Sequence, residues 1–456
     1  MKLFVRDKDF YRQTLAIAVP VSLQSMITIG VNMMDNIMVG SLGETVLSGT
    51  SLANQFISLY HICCMGIAMG ASVLTARFWG MKRMEDLRRT ITLMLRFGVG
   101  LALIFMIPAI AAPGMLMKLY TPESDVIAQG ILYYRWIWMT FVLQGLSLTC
   151  TIVLRSVGQV KIPLYSSIGA FFINILFNYM FIFGKFGAPR MEIQGAAIGT
   201  LLARLFEFAV ICGYFFFKDS RIQYRIGDLR MKCRGLMHEY ITVSIPVFVS
   251  DGLLALGSTA VAMIMGRISK EFVSANSITF VTQQLSTVLI QGVCHAGCIV
   301  TGHTLGRGET KKAQEQAWTF MTLGLIIGAA AGLVIQMISE PVINAYNITD
   351  YTKELARQLM SAIAIIVVFQ STNSILTKGV LRGGGDTKFL MVADILFLWI
   401  VSIPLGALAG LYWKLPAFWI YFFLKIDQVI KAVWCIFRLK SGKWIKKISG
   451  SNEAEK

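Results

Sequence analysis

The stretch Leu154-Arg155-Ser156-Val157-Gly158-Gln159-Val160-Lys161 returns 227 residues later as Leu381-Arg382-Gly383-Gly384-Gly385-Asp386-Thr387-Lys388. Upstream, Pro20 and Gly40 stand 226 residues before Pro246 and Gly266. At the same spacing Ser48, Ser51, Gly66, Thr75 and Gly80 match Ser274, Ser277, Gly292, Thr301 and Gly306. The first half of the chain is thus repeated, almost without a gap, by the second. In a membrane chain, a duplication on this scale points to two equivalent bundles with a substrate path between them.

Composition says that this is such a chain. Of 456 residues 55% are hydrophobic and 15% charged, where a soluble chain carries about 25% charge. The charges cluster and leave twelve long apolar stretches, the first at 13–38 and the last at 416–437. Each approaches or exceeds the roughly 20 residues that a helix needs to span hydrocarbon. None shows strand-like alternation, so they read as helices. The fold class is an all-α polytopic membrane protein of twelve transmembrane helices. Six spans per half return the chain to the same side, which makes the two six-helix repeats parallel in orientation. The expected divisions are 1–217 for the first lobe, 218–238 for a linker, 239–437 for the second lobe and 438–456 for a basic tail.

A formal charge of +17 could suggest nucleic acid, but most Lys and Arg fall in alternate connections. That is the positive-inside pattern, and it puts both termini in the cytoplasm of a cell-membrane protein. No nucleic-acid role is expected. The tail from Arg438 is expected to meet anionic lipid headgroups. There is no soluble catalytic domain and no GxxxxGK[ST] loop, so an ion gradient rather than ATP must supply energy. No enzyme activity and no cofactor are expected: the four His residues (61, 238, 295 and 303) form no catalytic set. Cys294, His295 and Cys298 read as helix-packing positions rather than metal ligands. Arg155 and Arg382 are placed in cytoplasmic turns, and Arg204 with Glu207 as an ion pair along one helix.

Ionisable groups inside spans mark function. Asp35 and Asp251 both follow a proline, yet neither has an acidic counterpart in the other repeat, where Val261 and Ser25 stand. Asp35 lies about 30 Å along its helix at 1.5 Å per residue. Asn174 and Asn178 share one face of the fifth span, roughly 18–24 Å in, and Thr200 lies about 11 Å into the sixth from the other side. These heights allow one cluster of Asp35, Asn174, Asn178 and Thr200, whose oxygens suit a proton or a hard cation such as Na⁺. Asp251, with Asp394 as a secondary member, is the candidate acidic site of the second lobe.

With Asp35-Asn36-Ile37-Met38-Val39-Gly40 and Gly195-Ala196-Ala197-Ile198-Gly199-Thr200 added to the repeated Leu-Arg stretches, the chain resembles the multidrug and toxic compound extrusion transporters over nearly its whole length. The resemblance implies a V-shaped pair of lobes and an antiporter that exports cationic or amphipathic compounds in exchange for H⁺ or Na⁺. It implies a first-lobe cation site at Asp35, Asn174, Asn178 and Thr200, and a bend of the first helix at Pro20. It also matches Asp251 to a second-lobe acidic position. The expected partners are small-molecule substrates and membrane lipids, and the expected state is a monomer. The alternative within transport is a lipid-linked saccharide flippase, which requires a strongly cationic cavity.

Overall fold

The computed structural model describes residues 4–346 and 348–447; residues 448–456 of the expected tail lie outside the described residues. Among the described residues there is no strand. Twelve helical runs follow in order, here called spans one to twelve: Lys8–Gly40, Glu44–Gly80, Met84–Ala111, Ser124–Ile137 continued by Met139–Ser156, Lys161–Phe183, Ile193–Lys218, Arg234–Ile268, Lys270–Ser286 continued by Val288–Gly306, Thr310–Ala345, Asp350–Leu381, Thr387–Tyr412, and Ala417–Leu424 continued by Ile426–Lys440. Eleven contain a helix long and apolar enough to cross a bilayer alone. The twelfth is broken at Lys425, whose backbone (φ −121, ψ 12) leaves the helical region.

Several spans outrun the hydrocarbon. Span one has 33 residues, about 50 Å of helix at 1.5 Å per residue, against a core of about 30 Å. Pro20 sits inside it and Pro246 inside span seven, so each repeat opens with a proline-interrupted helix. The second half also carries three π-helical segments, Ile375–Leu381, Ile395–Ser402 and Leu408–Tyr412. An inserted residue of this kind shifts the helix face and is common at functional sites.

The chain forms two compact units. One comprises Leu23–Thr75 and Arg83–Tyr240. Its core is aromatic: Tyr60 packs edge-on to Phe141 at 5.0 Å, and its hydroxyl donates to the Phe141 carbonyl at 2.5 Å. The other comprises the described parts of Met1–Ser22, Ala76–Lys82 and Ile241–Lys456. Here small residues set the helix spacing. A Cβ on Gly328 of span nine would lie 2.7 Å from the Val368 Cα of span ten, and one on Gly324 would lie 3.0 Å from the Thr372 Cα. Such close backbone approach replaces the hydrophobic drive that lipid cannot supply.

In this second unit the repeat closes on itself. Gly80 and Gly306, the matching helix ends, meet each other: a Cβ on Gly80 would lie 3.0 Å from the Gly306 Cα. Arg77, three residues before the helix end at Gly80, is buried. It donates to the carbonyls of Lys446 at 2.5 Å and Gly384 at 2.6 Å. Around it the first residues of the tail fold back. Trp444 is fully buried and donates to Gln314 Oε1 at 2.7 Å; Asp386 pairs with Arg438 at 2.7 Å and Lys446 at 3.3 Å. Two tail charges therefore serve internal pairs.

Candidate functional site

Asp35 is half-buried on span one, facing Asn174 and Asn178 on span five, which are 2% and 1% exposed. Their four-residue spacing puts both amides on one helical face. The Asn178 amide N–H donates to Asp35 Oδ1 at 2.6 Å and to Asn174 Oδ1 at 3.3 Å. The Asn178 carbonyl oxygen is buried with no hydrogen-bond partner. A buried acceptor without a partner costs roughly 1–3 kcal/mol, so this oxygen is a ready ligand for a cation or a protonated group.

The Gly195–Thr200 segment makes room for it. A Cβ on Gly195 would strike the Phe181 carbonyl oxygen at 2.6 Å, and one on Gly199 would collide with Asn178 Oδ1 itself. Spans five and six can approach this closely only where both side chains are absent. Thr200 engages the Tyr133 hydroxyl, which donates to Asn54 Oδ1 at 3.3 Å. The structure thus brings Asp35, Asn174 and Asn178 into one hydrogen-bonded set, while Thr200 engages Tyr133. Arg204 pairs with Glu207 at 2.7 Å, as the spacing predicts, and its charge also reaches Asp35. The sequence holds no sign of that electrostatic influence, because Arg204 and Asp35 lie on different helices.

The second unit has a denser polar cluster. Asp251 pairs with Arg382 at 3.1 Å. Lys431 holds two carboxylates, Asp394 at 3.0 Å and Asp427 at 2.9 Å. Asp394 also accepts from Ser250, and Gln428 donates to Asp427 at 2.7 Å. A cavity of about 190 Å³ opens among these groups, with Gln370, Asn373, Lys378 and Lys425 also in its wall. Asp394 lines this polar cavity and Asp251 reaches it only through Arg382, and each carboxylate is matched by a cation. Of the residues that the sequence reading did not single out here, Lys431 had a legible sign, its four-residue spacing from Asp427. Lys378 and Gln428 had none.

The repeat explains part of this arrangement. Gln24 donates to Ser167 at 2.8 Å, and Arg155 donates to Gln24. The repeat-equivalents of Gln24 and Ser167 are Ser250 and Asp394, and the equivalent of Arg155 is Arg382. The same helices are bridged in both halves, but Arg155 reaches a neutral amide where Arg382 reaches a carboxylate. Neither arginine lies in an exposed turn. Arg155 is 9% and Arg382 5% exposed, both at helix ends, because each must reach a polar partner on a proline-containing span. Cys294 and Cys298 are also buried, with their backbone against Gly379 and Gly383. Among the described residues no three His, Cys, Asp or Glu gather as a metal cluster would require.

The MatE family model matches residues 20–180 and 246–408, one match in each repeat. The chain is 27% identical over 421 residues to a probable multidrug resistance protein NorM of Mesorhizobium japonicum, covering 88% of this chain and 87% of the relative. It is 23% identical over 445 residues to a protein of the same description from Thermotoga maritima, covering 96% and 94%. A crystal structure of a MATE transporter in a bent conformation superposes with a TM-score of 0.85 at 16% identity, covering 95% of this chain and 96% of the other.

Proposed function

We propose, on the premise that this chain belongs to the MatE family of transporters, that it is a secondary antiporter of the cell membrane. It would export amphipathic organic compounds, organic cations among them, in exchange for H⁺ or Na⁺, with both termini in the cytoplasm. The observation that carries the coupling role is the Asp35 set. A half-buried carboxylate is held by a neutral amide at 2.6 Å, beside a buried carbonyl oxygen that has no partner. Such a site gains a ligand by taking up a proton or a hard cation, and loses one by releasing it. If substrate and ion favour different states of the bundle, occupancy of one drives release of the other. Pro20 would supply the bend between those states, since a helix-interior proline removes a backbone hydrogen bond. Relatives named as multidrug resistance proteins support the cargo class. The saccharide flippase is the weaker reading, because the four cations of the second cavity stand against three carboxylates, an excess of one and short of the strongly cationic cavity that reading requires.

The test is efflux of ethidium from proteoliposomes under separately imposed pH and Na⁺ gradients. Asp35→Asn should keep expression, helical content and ethidium binding, and lose gradient-driven efflux. Uphill efflux by Asp35→Asn at the wild-type rate would remove Asp35 from the coupling role.

A further inference from the structure

The cavity of the second unit contains more positive than negative charge. Lys378, Arg382, Lys425 and Lys431 line it. Against them stand Asp394 and Asp427 in the wall and Asp251 behind Arg382. Arg382 is matched by Asp251, and Lys431 takes both Asp394 and Asp427. Lys378 and Lys425 make no ion pair among the described residues. Charges inside a spanning bundle are costly and normally pair with one another, and four cations against three carboxylates leave the cavity one negative charge short, with Lys378 and Lys425 the cations outside the ion pairs.

The backbone presents both lysines deliberately. Lys378 sits in the π-helical segment Ile375–Leu381, and Lys425 at the break between Ala417–Leu424 and Ile426–Lys440. Irregular backbone at membrane depth is tolerated where it lines a cavity. The space is about 190 Å³, well beyond the roughly 10–15 Å³ that one water needs on a comparable measure. Its remaining wall combines amides and hydroxyls, including Gln370, Asn373 and Thr377, with the apolar side chains of Leu254, Val261, Leu390 and Leu398. The first repeat has nothing like it at the matching positions, where Thr151 stands for Lys378.

We propose that this cavity binds the carboxylate of an amphipathic organic acid or zwitterion, with Lys378 and Lys425 as its cationic partners. Calling that ligand cargo rests on the transport reading; the binding site itself does not. One carboxylate completes the balance of four cations against four anions. A dianionic pyrophosphate would exceed it. The proposal assigns the acid group of such a compound to residues of the second unit, Lys378 and Lys425, and not to the Asp35 set.

The test is equilibrium binding of a matched pair, N-dansylglycine and N-dansylglycinamide, to the purified full-length protein, read by dansyl fluorescence without any gradient. The acid should bind at least tenfold more tightly than the amide. Lys378→Met and Lys425→Met should each reduce that ratio severalfold while leaving amide binding and the melting temperature near wild type. Lys378→Arg and Lys425→Arg should retain it. Equal binding of acid and amide by the wild-type protein would overturn the proposal, whatever the variants do. So would an unchanged ratio in both Met variants, or displacement of the probe by inorganic pyrophosphate at lower concentration than by acetate. Asp35→Asn should keep the full ratio even where it loses efflux, so failure of the coupling site and failure of this site give different results.

Discussion

Gly199→Ala adds one methyl group against the Asp35 set, without touching a charge. The new Cβ would collide with Asn178 Oδ1 and lie 3.0 Å from both the Asn178 Cγ and its backbone N. The backbone atom cannot yield without moving span five. The amide can move only by giving up its bonds to Asp35 at 2.6 Å and Asn174 at 3.3 Å. Overpacking a tight contact costs about 1–3 kcal/mol, and a hydrogen bond to a charged group contributes about 1.5–3 kcal/mol. If Asn178 yields, that second figure falls on the Asp35 site, a change of roughly 10- to 150-fold in an equilibrium constant. The assay is the half-saturating H⁺ or Na⁺ concentration for ethidium efflux in proteoliposomes, with the melting temperature measured in parallel. Gly213→Ala is the control on the same span, since a Cβ there meets nothing within 4 Å. Wild-type ion dependence in Gly199→Ala, with an unchanged melting temperature, would refute the argument that this glycine holds Asn178 in place for ion coupling.

Three further outcomes follow from the same structure. Pro20→Ala should insert and fold but exchange slowly between states, because the restored backbone hydrogen bond stiffens span one; wild-type efflux rates in correctly inserted protein would show the bend to be dispensable. Trp444→Ala should lower stability by about 3–5 kcal/mol, as for a fully buried aromatic, read as a lower melting temperature. Arg382→Met should destabilise by about 3 kcal/mol by leaving Asp251 unpaired in a largely buried site. Adding Asp251→Asn should recover much of that loss, and equal melting temperatures for the single and double variants would argue against the pair.

Helix content and order were legible because the signal is local. An apolar run of about 20 residues is helical in lipid whatever its neighbours, since no other structure satisfies its backbone. Asn174 and Asn178 were legible for a related reason, as four residues bring two side chains onto one face. The approach of Asp35 to Asn178 could be anticipated from height along the helices, because straight spans keep a common ruler. Thr200 shows the limit of that ruler. Height placed it near Asp35, whereas the partner its side chain engages, Tyr133, could not be read from height.

What the sequence determined by itself is the duplicated twelve-span plan, the family, and the two amides that share the fifth span. Tertiary structure alone decided how the charges are matched: Asp251 with Arg382, Lys431 with two carboxylates, Arg77 with backbone carbonyls and a folded-back tail. Most of these partners lie on different helices, and the Asp251–Arg382 contact is separated by 131 residues. Whether they meet depends on how each helix is rotated and how far it slides past its neighbours. A single π-helical insertion in Ile375–Leu381 or Ile395–Ser402 changes that rotation. Hydropathy fixes which segments enter the bilayer, whereas pairing inside it is set by small-residue contacts such as Gly328 with Val368, which act only once the helices have packed.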